Sequence, residues 1–285
     1  MNIYHSAADA PDVLPANSII NDWFELALPK IPDASVDLIC IDPPYLSTDL
    51  DFDKAGFDLV ALKKELARII KPSGYIACFG TIELLAAFIN PFAIRYSGVW
   101  LKPRGTMRTA TAKKPMSKCE PYAVFCIKNA KICDMTFNRL KIENAGKPYK
   151  MVQNNTGYER SGKDSLSRAD SSGWTKQGYI SESDGSRWQT DVIEAPHKGT
   201  MKHAERTDHP TQKPIQALSV LVKMLSNEGD LVLDCFGGSG STGETCIQLK
   251  RDFIIIEKDK KHFNNIIVPR LTNAIATQNS KLFNE

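Results

Sequence analysis

Two short clusters, Asp42-Pro43-Pro44-Tyr45 and Asp234-Cys235-Phe236-Gly237-Gly238-Ser239-Gly240, carry the chemistry that this chain is equipped to do. In the first, two prolines remove backbone donors and stiffen a turn beside a carboxylate and an aromatic ring. The Asp42 side chain and the Pro43 carbonyl are left as acceptors for the two hydrogens of an exocyclic amino group, and Tyr45 offers a face for stacking an extruded base. The lone pair of such an amino group is delocalised into its ring, so two acceptors that draw the nitrogen toward tetrahedral geometry make it reactive. The second cluster reads as a glycine loop between a strand and a helix, where the backbone can approach a ligand closely and the helix start offers unpaired N–H groups. Glu257 ends the following strand about twenty residues on, where a carboxylate can accept ribose hydroxyls. A nucleotide-like cofactor and an amino-bearing base are the two halves of a group-transfer site.

Both clusters close apolar runs that read as buried strands, Val36 to Ile41 and Asp230 to Asp234, so both fall at the carboxyl edge of a parallel sheet. The first run belongs to a βαβ unit: a strand at Ser18 to Asn21, a helix from Asp22 to Leu28, then the strand ending at Asp42. A helix is expected over Leu59 to Ile70, terminated by Lys71-Pro72-Ser73-Gly74, and a strand over Tyr75 to Phe79. A helix from Ile82 to Phe88 and strands around Ser97 to Leu101 and Tyr122 to Ile127 follow. Between about Lys131 and Asp208 apolar periodicity fades, and aromatics are interleaved with Asn, Ser, Gly and Lys. A stretch of this length suggests a binding surface that orders on its partner, or a mobile insertion. Periodicity returns in a helix from Gln216 to Ser226, a helix from Ser239 to Lys250, a strand from Phe253 to Ile256 and a last helix from Lys261 to about Ala276. The expected organisation is a catalytic half (1–130), an insertion (131–208) and a cofactor half (209–285).

With 285 residues, 42% of them hydrophobic, the chain can bury a large α/β core. No signal-type leader or spanning apolar run is evident, and seven cysteines in mostly apolar contexts suggest reduced thiols, so a cytoplasmic setting without membrane contact is expected. Net charge is only +3 but unevenly spread: residues 1–60 hold eleven Asp/Glu against two Lys/Arg, and residues 102–163 hold fourteen Lys/Arg against four Asp/Glu. Such a basic block can track a phosphate backbone, with Arg104, Arg108, Lys113, Lys114 and Lys118 as candidate contacts; a solvated basic face is the plainer alternative.

Several chemistries fit poorly. A P-loop needs Gly-Lys-Ser/Thr where Gly240 is followed by Ser241, and a nicotinamide site would show GxGxxG. His197, His203 and His209 recur every six residues and Cys119, Cys126 and Cys133 every seven, without the short pairs of a zinc site, so no metal is expected.

The two clusters, with His209-Pro210-Thr211-Gln212-Lys213-Pro214 between them, resemble in sequence and order the motifs of the S-adenosylmethionine-dependent DNA methyltransferases that modify exocyclic amino groups, in their permuted β group. The resemblance covers most of the chain. It implies a doubly wound, Rossmann-like α/β methyltransferase sheet, circularly permuted, with an inserted target-recognition region, acting on double-stranded DNA by base flipping and direct in-line transfer. Asp42, Pro43, Pro44 and Tyr45 would form the catalytic motif. Asp234, Phe236, Gly238, Ser239, Gly240 and Glu257 would hold the cofactor, with Asp22 near its adenine and His209, Thr211 and Lys213 toward its methionine end. Glu120, in Cys119-Glu120-Pro121-Tyr122, resembles a late motif of the family. Asp rather than Ser at the head of the catalytic motif favours adenine N6. Cytosine N4 or an RNA base is the alternative substrate, and a non-catalytic nucleic-acid-binding protein is the other rival, against which the intact tetrapeptide argues. Cytosine C5 is disfavoured because no cysteine sits in a Pro-Cys turn. A companion restriction endonuclease and a homodimer are partners the resemblance leaves open.

Overall fold

The computed structural model describes residues 1–45, 57–106, 113, 115–153 and 179–282. The chain forms two compact units, one of Met1–Asn138 with Thr190–Glu285 and one of Arg139–Gln189. The larger unit is built on a nine-stranded sheet. Its strands are β1 (Asn2–Tyr4), β2 (Ser18–Ile20), β3 (Val36–Ile41), β4 (Ile70–Phe79), β5 (Phe92–Thr106), β6 (Ser117–Ile127), β11 (Val192–Glu194), β12 (Leu231–Asp234) and β13 (Asp252–Ile256), in the order β1-β2-β13-β12-β3-β4-β6-β5-β11. All neighbours are parallel except β6, which runs antiparallel between β4 and β5. The middle strands β12 and β3 pair through Val232 with Leu38 and Leu233 with Ile39, so the two sequence clusters leave the sheet side by side.

The helices are α1 (Phe24–Ala27), α2 (Leu59–Ile69), α3 (Ile82–Ala87), α4 (Ile215–Leu225), α5 (Ser241–Gln248), α6 (Lys260–His262) and, after a π turn at Phe263–Ile267, α7 (Val268–Leu282). α2 shows why these segments fold as they do. Asp58 caps it by accepting from the N–H groups of Val60 and Ala61, and Leu62, Leu66 and Ile69 at helical spacing are buried. β2, β3, β12 and β13 are almost wholly buried, as strands covered on both faces must be.

The sequence expectation fails at Lys71-Pro72-Ser73-Gly74. This segment is not a turn: β4 begins at Ile70 and runs through it, paired with β3 across a register shift between Val36 and Leu38. Between the pairs Val36–Ile70 and Leu38–Tyr75 an irregularity in β4 absorbs three extra residues, and Gly74 is required there because a Cβ would lie 2.8 Å from the Asp37 carbonyl oxygen. The insertion is also narrower than its composition suggests. Residues 131–138 and 190–208 belong to the larger unit, and β11 lies parallel to β5 at the sheet edge. Three residues are too few to show a strand period.

The smaller unit contains two antiparallel pairs, β7 (Lys141–Ile142) with β10 (Arg187–Trp188) and β8 (Tyr149–Gln153) with β9 (Tyr179–Ser183). Among the described residues, cations lie over two of its aromatic rings: Arg187 lies 5.2 Å from the Tyr149 ring centre and Lys141 5.3 Å from that of Trp188.

Candidate functional site

A cavity of about 500 Å³ opens in the larger unit where the carboxyl ends of β2, β3, β12 and β13 meet. It is lined by both sequence clusters, and its two sides are built differently.

On the glycine-loop side, carboxylates are held mainly by the backbone. The N–H of Gly237 donates to the Ile256 carbonyl (2.8 Å) and that of Gly240 to the Gly237 carbonyl (2.7 Å). Gly238 and Gly240 adopt φ of +50° and +73°, and Gly240 caps α5. Glu257 accepts from the Gly238 N–H (2.6 Å) and the Asp259 N–H (2.7 Å). Asp234 accepts from the Phe236 N–H (2.9 Å) and the Thr242 hydroxyl (2.6 Å), and burial raises its carboxyl to about 7 against these two bonds. Asp22 accepts from the N–H groups of Ala7 and Trp23, both at 2.8 Å. Phe236 packs with Phe24 and Phe57 at ring distances of 5.7 and 5.3 Å. From α7, Arg270 donates through Nη1 to the Ser239 carbonyl (3.0 Å) and pairs with Glu244. The His209 ring, edge-on to His262, faces Gly238, where a Cβ would lie 3.2 Å from His209 Nε2. Burial, His262 and the nearby lysines keep His209 neutral, at about 3.

On the Asp42 side, the groups are held by other side chains. Lys213 Nζ lies 2.5 Å from Asp42 Oδ2, 2.7 Å from Glu120 Oε1 and 3.2 Å from the Tyr45 hydroxyl. That hydroxyl lies 2.5 Å from Asp42 Oδ1 and 2.9 Å from Glu120 Oε1, and Lys102 pairs with Glu120 Oε2 at 3.0 Å. Tyr45, Phe79 and Trp100 surround the Lys213 ammonium at 5.4, 5.3 and 5.9 Å. Burial would raise the Glu120 carboxyl, but the two lysines outweigh it and hold it at about 2. Burial works against the charge on Lys213, and the two carboxylates more than restore it. For Asp42, burial and Glu120 push the carboxyl up while Lys213 opposes them.

A cross-braced loop sets Lys213 in place. Gln212 accepts from the Thr207 N–H and hydroxyl and donates to the Glu205 carbonyl, while the Glu205 carboxylate caps the Ile215 N–H at the start of α4.

The structure thus gathers Asp22, Asp42, Pro43, Pro44, Tyr45, His209, Thr211, Lys213, Asp234, Phe236, Gly238, Ser239 and Glu257 around one cavity, with Gly240 closing the loop beneath. It turns Lys213 toward Asp42, where the sequence pointed to the cofactor. Arg104, Lys113 and Lys118 are exposed; Arg108 and Lys114 lie outside the described residues. Sequence reasoning missed Lys102, and it left Glu120 without a partner. The signal lay in register: β5–β6 pairing sets Trp100 opposite Glu120 and brings Lys102 within reach. Among the described residues no three His, Cys, Asp or Glu side chains cluster as metal ligands would, and no helix is long and apolar enough to cross a membrane.

A mostly parallel sheet with an acidic catalytic-type turn and a glycine loop on one cavity defines a Rossmann-like transferase. The particular family follows from comparison: the N6/N4 family model described as DNA methylase matches residues 36–268, and the chain belongs to that family. Among relatives, it is 25% identical to type II methyltransferase M.HpaI of Haemophilus parainfluenzae over 83% of this chain and 68% of that one. It is 29% identical to the DNA adenine methyltransferase YhdJ of Escherichia coli K12 over 87% and 80%. In fold it resembles the M1.HpyAVI–SAM complex (TM-score 0.53, 24% identity, 83% of this chain and 90% of that one). It also resembles the cytosine-N4-specific PvuII DNA methyltransferase (TM-score 0.55, 13% identity, 96% and 94%).

Proposed function

We propose that this protein transfers a methyl group from S-adenosylmethionine to the N6 amino group of adenine in double-stranded DNA. The observation that carries this reading is the convergence of Asp42 and the glycine loop on one cavity from adjacent strands. The cavity suits the cofactor: Phe24, Phe57 and Phe236 form an aromatic wall for a purine, Glu257 stands at the end of β13 for the ribose, and Gly238, in the left-handed region and close to the His209 ring, lets the backbone itself face the cavity. S-adenosylmethionine, when bound, supplies an electrophilic methyl sulfonium.

The chain's own contribution is alignment and charge placement. Asp42 and the Pro43 carbonyl accept the amino hydrogens of the flipped base and Tyr45 stacks on its ring. The nearby carboxylates and aromatic faces stabilise positive charge as it develops on the nitrogen. The smaller unit, with Arg187 over Tyr149 and Lys141 over Trp188, acts in target recognition, and the basic residues Arg104, Lys113 and Lys118 contact phosphates. Asp42 and the adenine methyltransferase relative favour adenine. The test is to incubate the protein with S-adenosylmethionine and unmethylated DNA, digest to nucleosides and weigh the product. N6-methyladenine is expected; N4-methylcytosine would reassign the base, and no methylated nucleoside would overturn the reading.

A further inference from the structure

The Lys213 ammonium is an internal occupant of the substrate's place. It has three N–H groups and three partners, Asp42 Oδ2, Glu120 Oε1 and the Tyr45 hydroxyl, and it sits among the rings of Tyr45, Phe79 and Trp100. Two carboxylates and three aromatic faces make a seat for a positively charged nitrogen. The amino nitrogen of a base gains such a charge as it takes up a methyl group, so the same seat fits the reacting atom. Both cannot occupy it: the carboxylate oxygen that should grip the amino group is already in contact with the lysine. A second cation beside a nitrogen that is becoming cationic would also oppose the reaction.

Resting on the proposed function, we propose that Lys213 is a positioning residue that holds the amino-group seat at Asp42 in the empty enzyme and yields it to the target base by withdrawing onto Glu120. The geometry supplies the resting place. Glu120 is fixed through its other oxygen by Lys102, and its contact with Lys213 does not depend on Asp42. A base with an amino group replaces the lysine's bond to Asp42 with its own; a base without one leaves Asp42 to the lysine. The exchange also favours release, because an amino group that has gained a methyl has one hydrogen fewer to hold the seat against the returning ammonium.

The test compares binding of two duplexes containing the mapped site, in the presence of S-adenosylhomocysteine at pH 8.5. One carries the normal target base and the other its analogue without the amino group, purine for adenine or pyrimidin-2-one for cytosine. Lys213→Met empties the seat, so preference for the amino-bearing base is expected to rise about tenfold over wild type, the scale of one charge-assisted hydrogen bond. Glu120→Gln weakens the withdrawal site and binds the lysine more firmly to Asp42, so preference is expected to fall several-fold. A merely structural role for either residue would move both variants the same way. An unchanged or reduced preference in Lys213→Met overturns the proposal, as does loss of S-adenosylhomocysteine affinity in a folded Lys213→Met, which would place the lysine on the cofactor. Should that variant not fold, Glu120→Gln decides: an unchanged or increased preference overturns the proposal. Absence of methyl transfer by wild type strikes the proposed function instead, and is read before any variant is made.

Discussion

The two sides of the cavity hold their carboxylates by opposite means. On the glycine-loop side, Asp22, Asp234 and Glu257 accept from backbone N–H groups, with only the Thr242 hydroxyl added. On the other, Asp42 and Glu120 are held by the tips of Lys213, Lys102 and Tyr45. A backbone donor moves only if the fold moves, whereas a lysine changes partner by rotating its own bonds. Under the proposed function, the first side is a fixed mould for a cofactor that is the same in every turnover, and the second is a set of side-chain contacts for a base that must be admitted and expelled.

The comparison predicts different failures on each side. The largest effect is expected for Asp42→Ala, which should lower kcat at least 10³-fold, on the scale of losing a group that acts on the reacting atom, while the cofactor Kd stays within about twofold. Parallel loss of cofactor binding, measured by calorimetry, would erase the division. Gly238→Leu should do the reverse and raise the cofactor Kd roughly tenfold or more. The left-handed backbone disfavours a side chain, and the new Cβ crowds His209.

The sides should also differ in how pH acts on stability. Glu120 is held at about 2, below its unfolded value of 4.5, so its contribution is present above pH 4.5 and lost as pH falls toward 2. Asp234, raised to about 7 from 3.8, contributes the other way: stability is lost as pH climbs from about 4 to 7 and is level beyond. Urea unfolding against pH should show the advantage of wild type over Glu120→Gln shrinking in acid. Its disadvantage relative to Asp234→Asn should grow toward neutrality, each by on the order of 3 kcal/mol. Equal slopes would remove the contrast. The smallest effect is expected for Arg270→Met, which frees the Ser239 carbonyl and should raise the cofactor Kd a few-fold, with about 1–2 kcal/mol of stability lost in thermal melts.

The same division explains what could be read from the sequence. Asp42, the glycine loop and Glu257 were legible because each ends a buried strand, and buried parallel strands announce themselves as apolar runs. The partners of Lys213 were not. They depend on the register of β5 against β6 and on a loop braced by Gln212 and Glu205, and neither leaves a local pattern. β11 escaped notice because it is short, and the start of β4 because Lys71-Pro72-Ser73-Gly74 has the composition of a turn while pairing as a bulged strand. Composition reports local preference, and tertiary pairing overrode it at both places.

The pairing of β3 with β12 joins segments almost two hundred residues apart at the middle of the sheet. Until β12 has been synthesised, β3 has an apolar, hydrogen-bond-hungry edge where the finished protein has its centre. Closing so long a loop is slow, and the waiting strand is the part of the nascent chain most exposed to pairing with a stranger. The arrangement that sets the Asp42 turn beside the glycine loop therefore makes this protein's synthesis, rather than its mature state, the time when it is most exposed to mispairing.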